Sequence, residues 1–360
     1  MRVLKLKGKP EERGLIHGET FKSDISETIG LWKETFQILN DDEFKEYIGD
    51  FLKETNFLSA INKWAPGILE EVNGIAKSAN VDKKIMLAFQ CLDEFMWYGK
   101  NKKWIKNSTT DKCSALGIFK EKEIPVILAQ TLDFDDFHDK YQIVLHIKDE
   151  ISLVEQLIFT VPGFIGFNGM NNHSIGIVCN SLSQLRFSTN GLPVSFIIRG
   201  VLEQSNFNHA VDFVKNVPHA TGQNYIIGGP DRVISLECSA NKVSQCFNDE
   251  KVTRIYHTNH PFSNDDINEE QIIERQMINS KTRLGSLEKR LNDDKETLGV
   301  DYIKKILSSH DSDEYPICRH KGTHKGFMTI GCSIMVLSDK PEFHFAPGPG
   351  CKTKFEVFDF

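Results

Sequence analysis

Three features of the 360-residue sequence predict one layered architecture mixing helices and strands, not two independent domains. The first hundred residues read mostly as helix. The texture turns β-rich at Cys113. Paired helical segments then separate further groups of strands, and neither an internal repeat nor a low-complexity linker divides the chain.

Within residues 1–100, GLIHGETFKSDISETIGLWKETFQIL (14–39) and PGILEEVNGIAKSANVDKKIMLAFQCLDEF (66–95) carry apolar residues near helical spacing. Pro66 and Gly67 mark the start of the second. From Cys113, the runs CSALGIF, IPVILAQTLDF, YQIVLHI, LVEQLIFTVPG and SIGIVCNSL are short and β-rich, split by charged or Gly, Pro and Asn turns. Helical PVSFIIRGVLEQS and NHAVDFVKNV come next, then strands NYIIGGP, VISLECS, KVSQCF and RIYHTNH. Residues 264–309 form a polar helical region, and TIGCSIMVLS, EFHFAPG and FEVFDF close the chain as strands.

Hydrophobic residues at 40% and charged residues at 26% describe a globular protein able to bury a substantial core. A formal net charge of -7 supplies no basic excess for nucleic acid. No window approaches 18 uncharged apolar residues, so no membrane span is expected. The start lacks an apolar secretory core, and the eight cysteines lack a small-scaffold spacing. Reduced thiols and a cytoplasmic location are the expectation.

Cys318, His320, His324 and Cys332 invite a zinc reading, but C-x-H-x3-H-x7-C has no C-x2-C knuckle and half of it falls in a strand. His257 and His260 would point to opposite faces of a strand. No metal and no organic cofactor is expected.

Cys113, in TDKCSALG, stands where a polar approach becomes a strand. A cysteine in such a place is ordinarily a small buried hydrophobe. It becomes a nucleophile only with an activating base. One of the twelve histidines, with an Asn, would make a papain-like site, although that family's local signature is missing. Alternatively, breaking the bond before Cys113 frees an α-amino group, titrating near ~7.7–8.0, on the nucleophile itself. The residues alone leave both routes open.

RGLIHGE (13–19), DKCSALG (111–117), ILAQTLDF (127–134), VPGFIGFNGMNNHSIGIVCNSL (161–182) and GLPVSFIIRGVLE (191–203) add a further pattern. NYIIGGPDRVISLECS (224–239), YHTNH (256–260), ICRH (317–320) and PGPGC (347–351) continue it. In their order and spacing the chain resembles the acyl-coenzyme A:6-aminopenicillanic acid acyltransferase family, the peptidase C45-like branch of the N-terminal-nucleophile hydrolases.

That resemblance implies an α+β fold, a four-layer αββα sandwich. It implies a helical segment 1–112, released or retained, and a nucleophile-bearing core 113–360, together one globular unit. The precursor would cut itself at Lys112–Cys113, making Cys113 the new N-terminus and nucleophile. Asp133 would orient its amine, and Asn259 would donate to the oxyanion. Arg319 would bind substrate oxygens or support Asp133, and Asn180 would face the substrate. Two positions depart from the family's pattern: Lys112 stands where Gly commonly precedes the cysteine, and Thr131 replaces an Asn two residues before the acid.

The implied substrate is a small acyl amide or an acyl thioester such as acyl-CoA, taken through an acyl-cysteine to water or to an amine. The alternatives are an uncleaved, non-catalytic ligand-binding protein of the same fold, or an uncleaved papain-like hydrolase. The segment 264–309 is open to three roles: pocket wall, solvated face, or contact in a homo-oligomer.

Overall fold

The computed structural model describes the chain except for residues 37–40, 103–112, 248, 250, 294–295 and 323–325. Lys112 and His324 therefore lie outside the described residues. The chain opens on β1 (Arg2–Lys7) and continues through α1 (Pro10–Thr20), α2 (Lys22–Thr35), α3 (Asp41–Glu54), α4 (Phe57–Trp64), α5 (Pro66–Ala79), α6 (Lys83–Phe89) and α7 (Leu92–Asn101). β2 (Ser114–Ile118) begins directly after Cys113, followed by β3 (Val126–Asp135), β4 (Ile143–Lys148), β5 (Glu155–Thr160), β6 (Asn168–Asn171) and β7 (Gly176–Ser181). Then come α8 (Val194–Leu202), α9 (Phe207–Asn216), β8 (Gln223–Gly228), β9 (Val233–Cys238), β10 (Val243–Cys246) and β11 (Arg254–His257). α10 (Glu274–Leu291), α11 (Val300–Leu307), β12 (Phe327–Leu337), β13 (Glu342–Ala346) and β14 (Glu356–Phe358) complete it.

The strands form two sheets, ordered β1-β4-β5-β6-β7-β8-β9-β10 and β11-β2-β3-β12-β13-β14. Their inner faces meet where β2 and β3 lie over β7 and β8. Phe159 of β5 packs there on Phe345 of β13, with ring centroids 4.4 Å apart. Helices α8 and α9 cover the outside of the eight-stranded sheet, and α10 and α11 cover the outside of the six-stranded one. Leu116, Ile127 and Ile334 meet Leu287, Ile303 and Leu307 in that second helix-on-sheet layer. Because β3 is covered on both faces, VILAQTLDF is buried along its whole length and reads as a continuous run, not an alternation. The fold is an α+β sandwich in four layers, αββα.

β1 departs from the helical reading of the first hundred residues. Its Leu4 and Leu6 point inward between exposed lysines, and it pairs in parallel with β4. The RGLIHGE motif fastens the same region from α1. A side chain at Gly14 would place Cβ 2.0 Å from the Glu71 carbonyl oxygen, so only glycine lets α1 and α5 cross this closely. Beside it the buried Glu71 carboxylate receives Arg13 Nε at 3.1 Å and both terminal nitrogens of Arg199 at 2.9 and 3.0 Å. Burial pushes the Glu71 pKa up, but Arg199 and Arg13 outweigh it and hold it at about 2. His17, buried and neutral, accepts the Gly163 N–H at 3.0 Å. Burial holds its pKa down at about 4. Charged and polar atoms of 1–102 are thus paired with atoms of the later sheet and helix.

Candidate active site

The register of the six-stranded sheet gathers the site at one end. β2 lies between β3 and β11, pairing Ser114 with Thr131 and Ala115 with His257. Cys113, Asp133 and Asn259 therefore all sit just beyond or at that end. β12 adds Thr329 opposite Asp133, next to a register shift before Gly331. Arg319 is pinned to the same place: its N–H donates to Thr329 Oγ1 at 2.9 Å, and its carbonyl accepts the Thr329 N–H at 3.1 Å. Thr329 Oγ1 donates in turn to Asp133 Oδ1 at 2.6 Å.

Asp133 and Arg319 form a buried ion pair, Nε to Oδ2 2.9 Å, without hydrogen-bond alignment. Arg319 Nη2 donates to Asn279 Oδ1 at 2.9 Å, and the same oxygen receives Arg283 Nε at 3.0 Å. The Arg283 fork then reaches Cys113. Nη1 donates to the Cys113 carbonyl at 2.6 Å and to Ser114 Oγ at 2.9 Å, while Nη2 donates to Asn259 Oδ1 at 2.8 Å. Every one of these side chains except that of Asn259, 8% exposed, is at most 3% exposed.

Two buried guanidiniums facing one carboxylate leave a positive excess. Burial and the neighbouring Arg319 bring the Arg283 pKa down to about 9, so it remains charged at neutral pH. Burial also lowers that of Arg319, and Asp133 opposes the drop. Both cations gain from negative charge on Cys113, the environment in which a thiolate is stabilised.

Arg283 was not foreseen. The polar region 264–309 left its role open, whereas α10 buries Asn279, Ser280 and Arg283 on one flank, ahead of Leu287 and Leu291. Polar residues at core spacing, continuing an apolar stripe, were the available signal. Asn180, expected to face the substrate, lies behind Cys113. Its Nδ2 donates to the carbonyls of Cys113 (3.2 Å) and His257 (3.5 Å), and its Oδ1 accepts Asn224 Nδ2 at 3.3 Å.

β11 ends at His257, and the turn after it is built on Glu237. Burial raises the pKa of that carboxylate, but His257 and the backbone donors bring it down overall. It accepts the N–H groups of Phe262, Ser263 and Asn264 at 2.9, 2.9 and 2.6 Å and meets His257 Nε2 at 2.8 Å. His260 turns elsewhere, with Nδ1 2.7 Å from Ser280 Oγ. Of the cysteine and histidine group considered for zinc, Cys332 is buried with Sγ 3.6 Å from the Gly348 oxygen. Cys318 and His320 instead meet His310 and Cys351.

Cys113 lines a pocket of about 460 Å³. Its walls are Leu92, Leu132, Phe134, Phe164, Phe167, Val194 and Ile198, with Asp93, Ser181, Ser195 and Gln223 as the polar groups. Leu92 and Asp93 come from α7, so a helix before Cys113 forms part of the wall. None of the described residues of 264–309 lines this pocket; they supply Arg283, which holds the Cys113 carbonyl. No described helix is long and apolar enough to cross a membrane.

The model of the family described as acyl-coenzyme A:6-aminopenicillanic acid acyl-transferase matches residues 120–341, more than half of the chain. The match begins after Cys113. No curated protein matches. Among solved structures, the N-acylethanolamine-hydrolyzing acid amidase ortholog of Caenorhabditis elegans is similar at 17% identity over 62% of this chain and 92% of that one, TM-score 0.44. A penicillin V acylase from Agrobacterium tumefaciens is similar at 9% identity over 68% and 86%, TM-score 0.42. A conjugated bile acid hydrolase variant from Clostridium perfringens is similar at 13% over 68% and 92%, TM-score 0.40. With the family matched over residues 120–341, the chain belongs to the acyl-coenzyme A:6-aminopenicillanic acid acyl-transferase family and is an enzyme.

Proposed function

We propose that this enzyme is a self-processing cysteine N-terminal-nucleophile amidohydrolase or acyltransferase, acting on small molecules with an apolar acyl group through an acyl-cysteine. The observation that carries the reading is the place of Cys113. It lines an apolar pocket, heads a buried strand, and has its carbonyl held by Arg283 and Asn180.

Cleavage of the bond before Cys113 leaves an α-amine beside the thiol. That amine, directly or through a water, takes the thiol proton as sulfur attacks the substrate carbonyl. Charge builds on the carbonyl oxygen, where Asn259 Nδ2 and a backbone N–H receive it. The Arg319–Asp133 pair positions the amine and supplies the field. The leaving group departs protonated, and water or an amine then takes the acyl group from sulfur. The acyl chain lies among Leu132, Phe134, Phe164, Phe167 and Ile198. Asn180 acts by holding the Cys113 carbonyl, without touching substrate.

A papain-like route needs a histidine base. His257, the histidine whose carbonyl shares Asn180 with Cys113, has both ring nitrogens engaged, by Glu237 and by the Thr258 oxygen at 2.8 Å each. The test is a screen of acyl amides and acyl-CoAs with single-turnover mass spectrometry. Acyl adduct on Cys113 of the cleaved chain supports the reading. Binding without adduct, on a chain that stays whole, identifies the non-catalytic alternative.

A further inference from the structure

His310, Cys318, His320 and Cys351 bring four ligand atoms within 4.8 Å of one another at the surface end of the six-stranded sheet. His310 follows α11, Cys318 and His320 precede β12, and Cys351 lies in the loop between β13 and β14. The Sγ atoms of Cys318 and Cys351 are 3.5 Å apart, and Nε2 of His310 and His320 are 3.3 Å apart. Cys351 Sγ lies 3.0 Å from His320 Nε2 and 3.9 Å from His310 Nε2.

A tetrahedral zinc ion, with Zn–S about 2.3 Å and Zn–N about 2.0–2.1 Å, would set these edges at about 3.8 Å for S–S, 3.3 Å for N–N and 3.6 Å for S–N. The N–N edge matches, the S–S edge at 3.5 Å is slightly short, and the two Cys351 S–N edges, 3.0 and 3.9 Å, lie either side of the ideal. The sulfurs are too far apart for a disulfide, which needs about 2.05 Å. Two thiols and two imidazoles within this reach of one another are the donor set that selects zinc.

We propose that these four residues bind one Zn²⁺ as a closed structural site. Binding converts both thiols to thiolates and releases their two protons to solvent. All four positions are filled by protein, so the ion has no open place for substrate. Its role follows from the chain: Cys318 and His320 flank Arg319, so the ion clamps both neighbours of the guanidinium paired with Asp133. It also ties the Pro349 turn to the start of β12. The local spacing of Cys318, His320, His324 and Cys332 has no C-x2-C knuckle and runs half into a strand; the fold instead brings His310 and Cys351 to Cys318 and His320.

The test uses the untagged full chain, purified under reducing conditions without chelator. Elemental analysis is expected to find one zinc per chain. Exchange for Co²⁺ is expected to give the intense visible absorption of a tetrahedral site and a sulfur-to-cobalt charge-transfer band. Cys351→Ser and His310→Ala alter exposed side chains and should each weaken Zn²⁺ binding by at least roughly 10–100-fold, the loss known for groups one layer further out. Cys332→Ser should keep full zinc content. A chain that takes up neither ion after reduction overturns the proposal, as does zinc retained undiminished in both ligand variants. A Cys318–Cys351 disulfide in the freshly isolated protein, with no metal bound, overturns it too. Metal content is read independently of turnover and of cleavage at Cys113, so either reading can fail alone.

Discussion

Asn259 turns its side-chain oxygen onto Arg283, 2.8 Å from Nη2, and this one bond decides which way its amide faces. Arginine only donates, so the oxygen must lie on its side and the NH2 on the other. There Nδ2 donates one hydrogen to the Ser181 carbonyl at 3.0 Å, beside the pocket that Ser181 and Cys113 share. Asn259→Ala should therefore lower kcat by roughly 10²–10³ with little change in the pH profile. Steady-state kinetics on the cleaved protein checks it; wild-type turnover would remove Asn259 from the site.

Arg283 orients Cys113, Ser114, Asn259 and Asn279 at once, and a point charge cannot replace its fork. Arg283→Lys should lower kcat more than it changes KM, and Arg283→Ala should in addition lower the melting temperature. Each buried acceptor left unpaired costs about 1–3 kcal/mol. Thermal unfolding and kinetics of the two variants separate these effects.

The pocket itself makes a size prediction. Ile198 on α8 points into it, and Ile198→Trp should fill the space taken by the acyl chain. Activity on long apolar acyl groups should fall at least tenfold relative to short ones, with cleavage at Cys113 unaffected. A size series of acyl amides reads this directly.

Glu71 predicts a pH window. Its folded pKa, about 2, is depressed below the ordinary 4.5, so its contribution is fully present above pH 4.5. It is lost as pH falls from 4.5 through 2. Wild type should lose stability more steeply across that range than Glu71→Gln, while being the more stable protein at pH 7. Denaturant midpoints measured at several pH values decide it; parallel slopes would contradict the ion-pair account.

Much of this was legible because strand patterns and motif order determine register. Once β2, β3 and β11 are adjacent, Cys113, Asp133 and Asn259 must share one end of the sheet. What was missed depends on contacts that sequence distance hides. Arg283 looks like one more charge on a polar helix, and only the packing of α10 on β11 turns it inward. Asn180 was read toward substrate, although its amide is occupied by two backbone carbonyls. β1 is six residues with two inward leucines, too brief a period to stand out. The cysteine and histidine cluster joins residues 310 and 351 across a whole hairpin, which no local spacing rule reaches.

The central claim is that Cys113 becomes an N-terminus. Intact-mass measurement of the denatured protein, wild type beside Cys113→Ala, tests it most directly. The account predicts two polypeptides, 1–112 and 113–360, from wild type and one unbroken chain from the variant. An unbroken wild-type chain that nevertheless turns over substrate would contradict it.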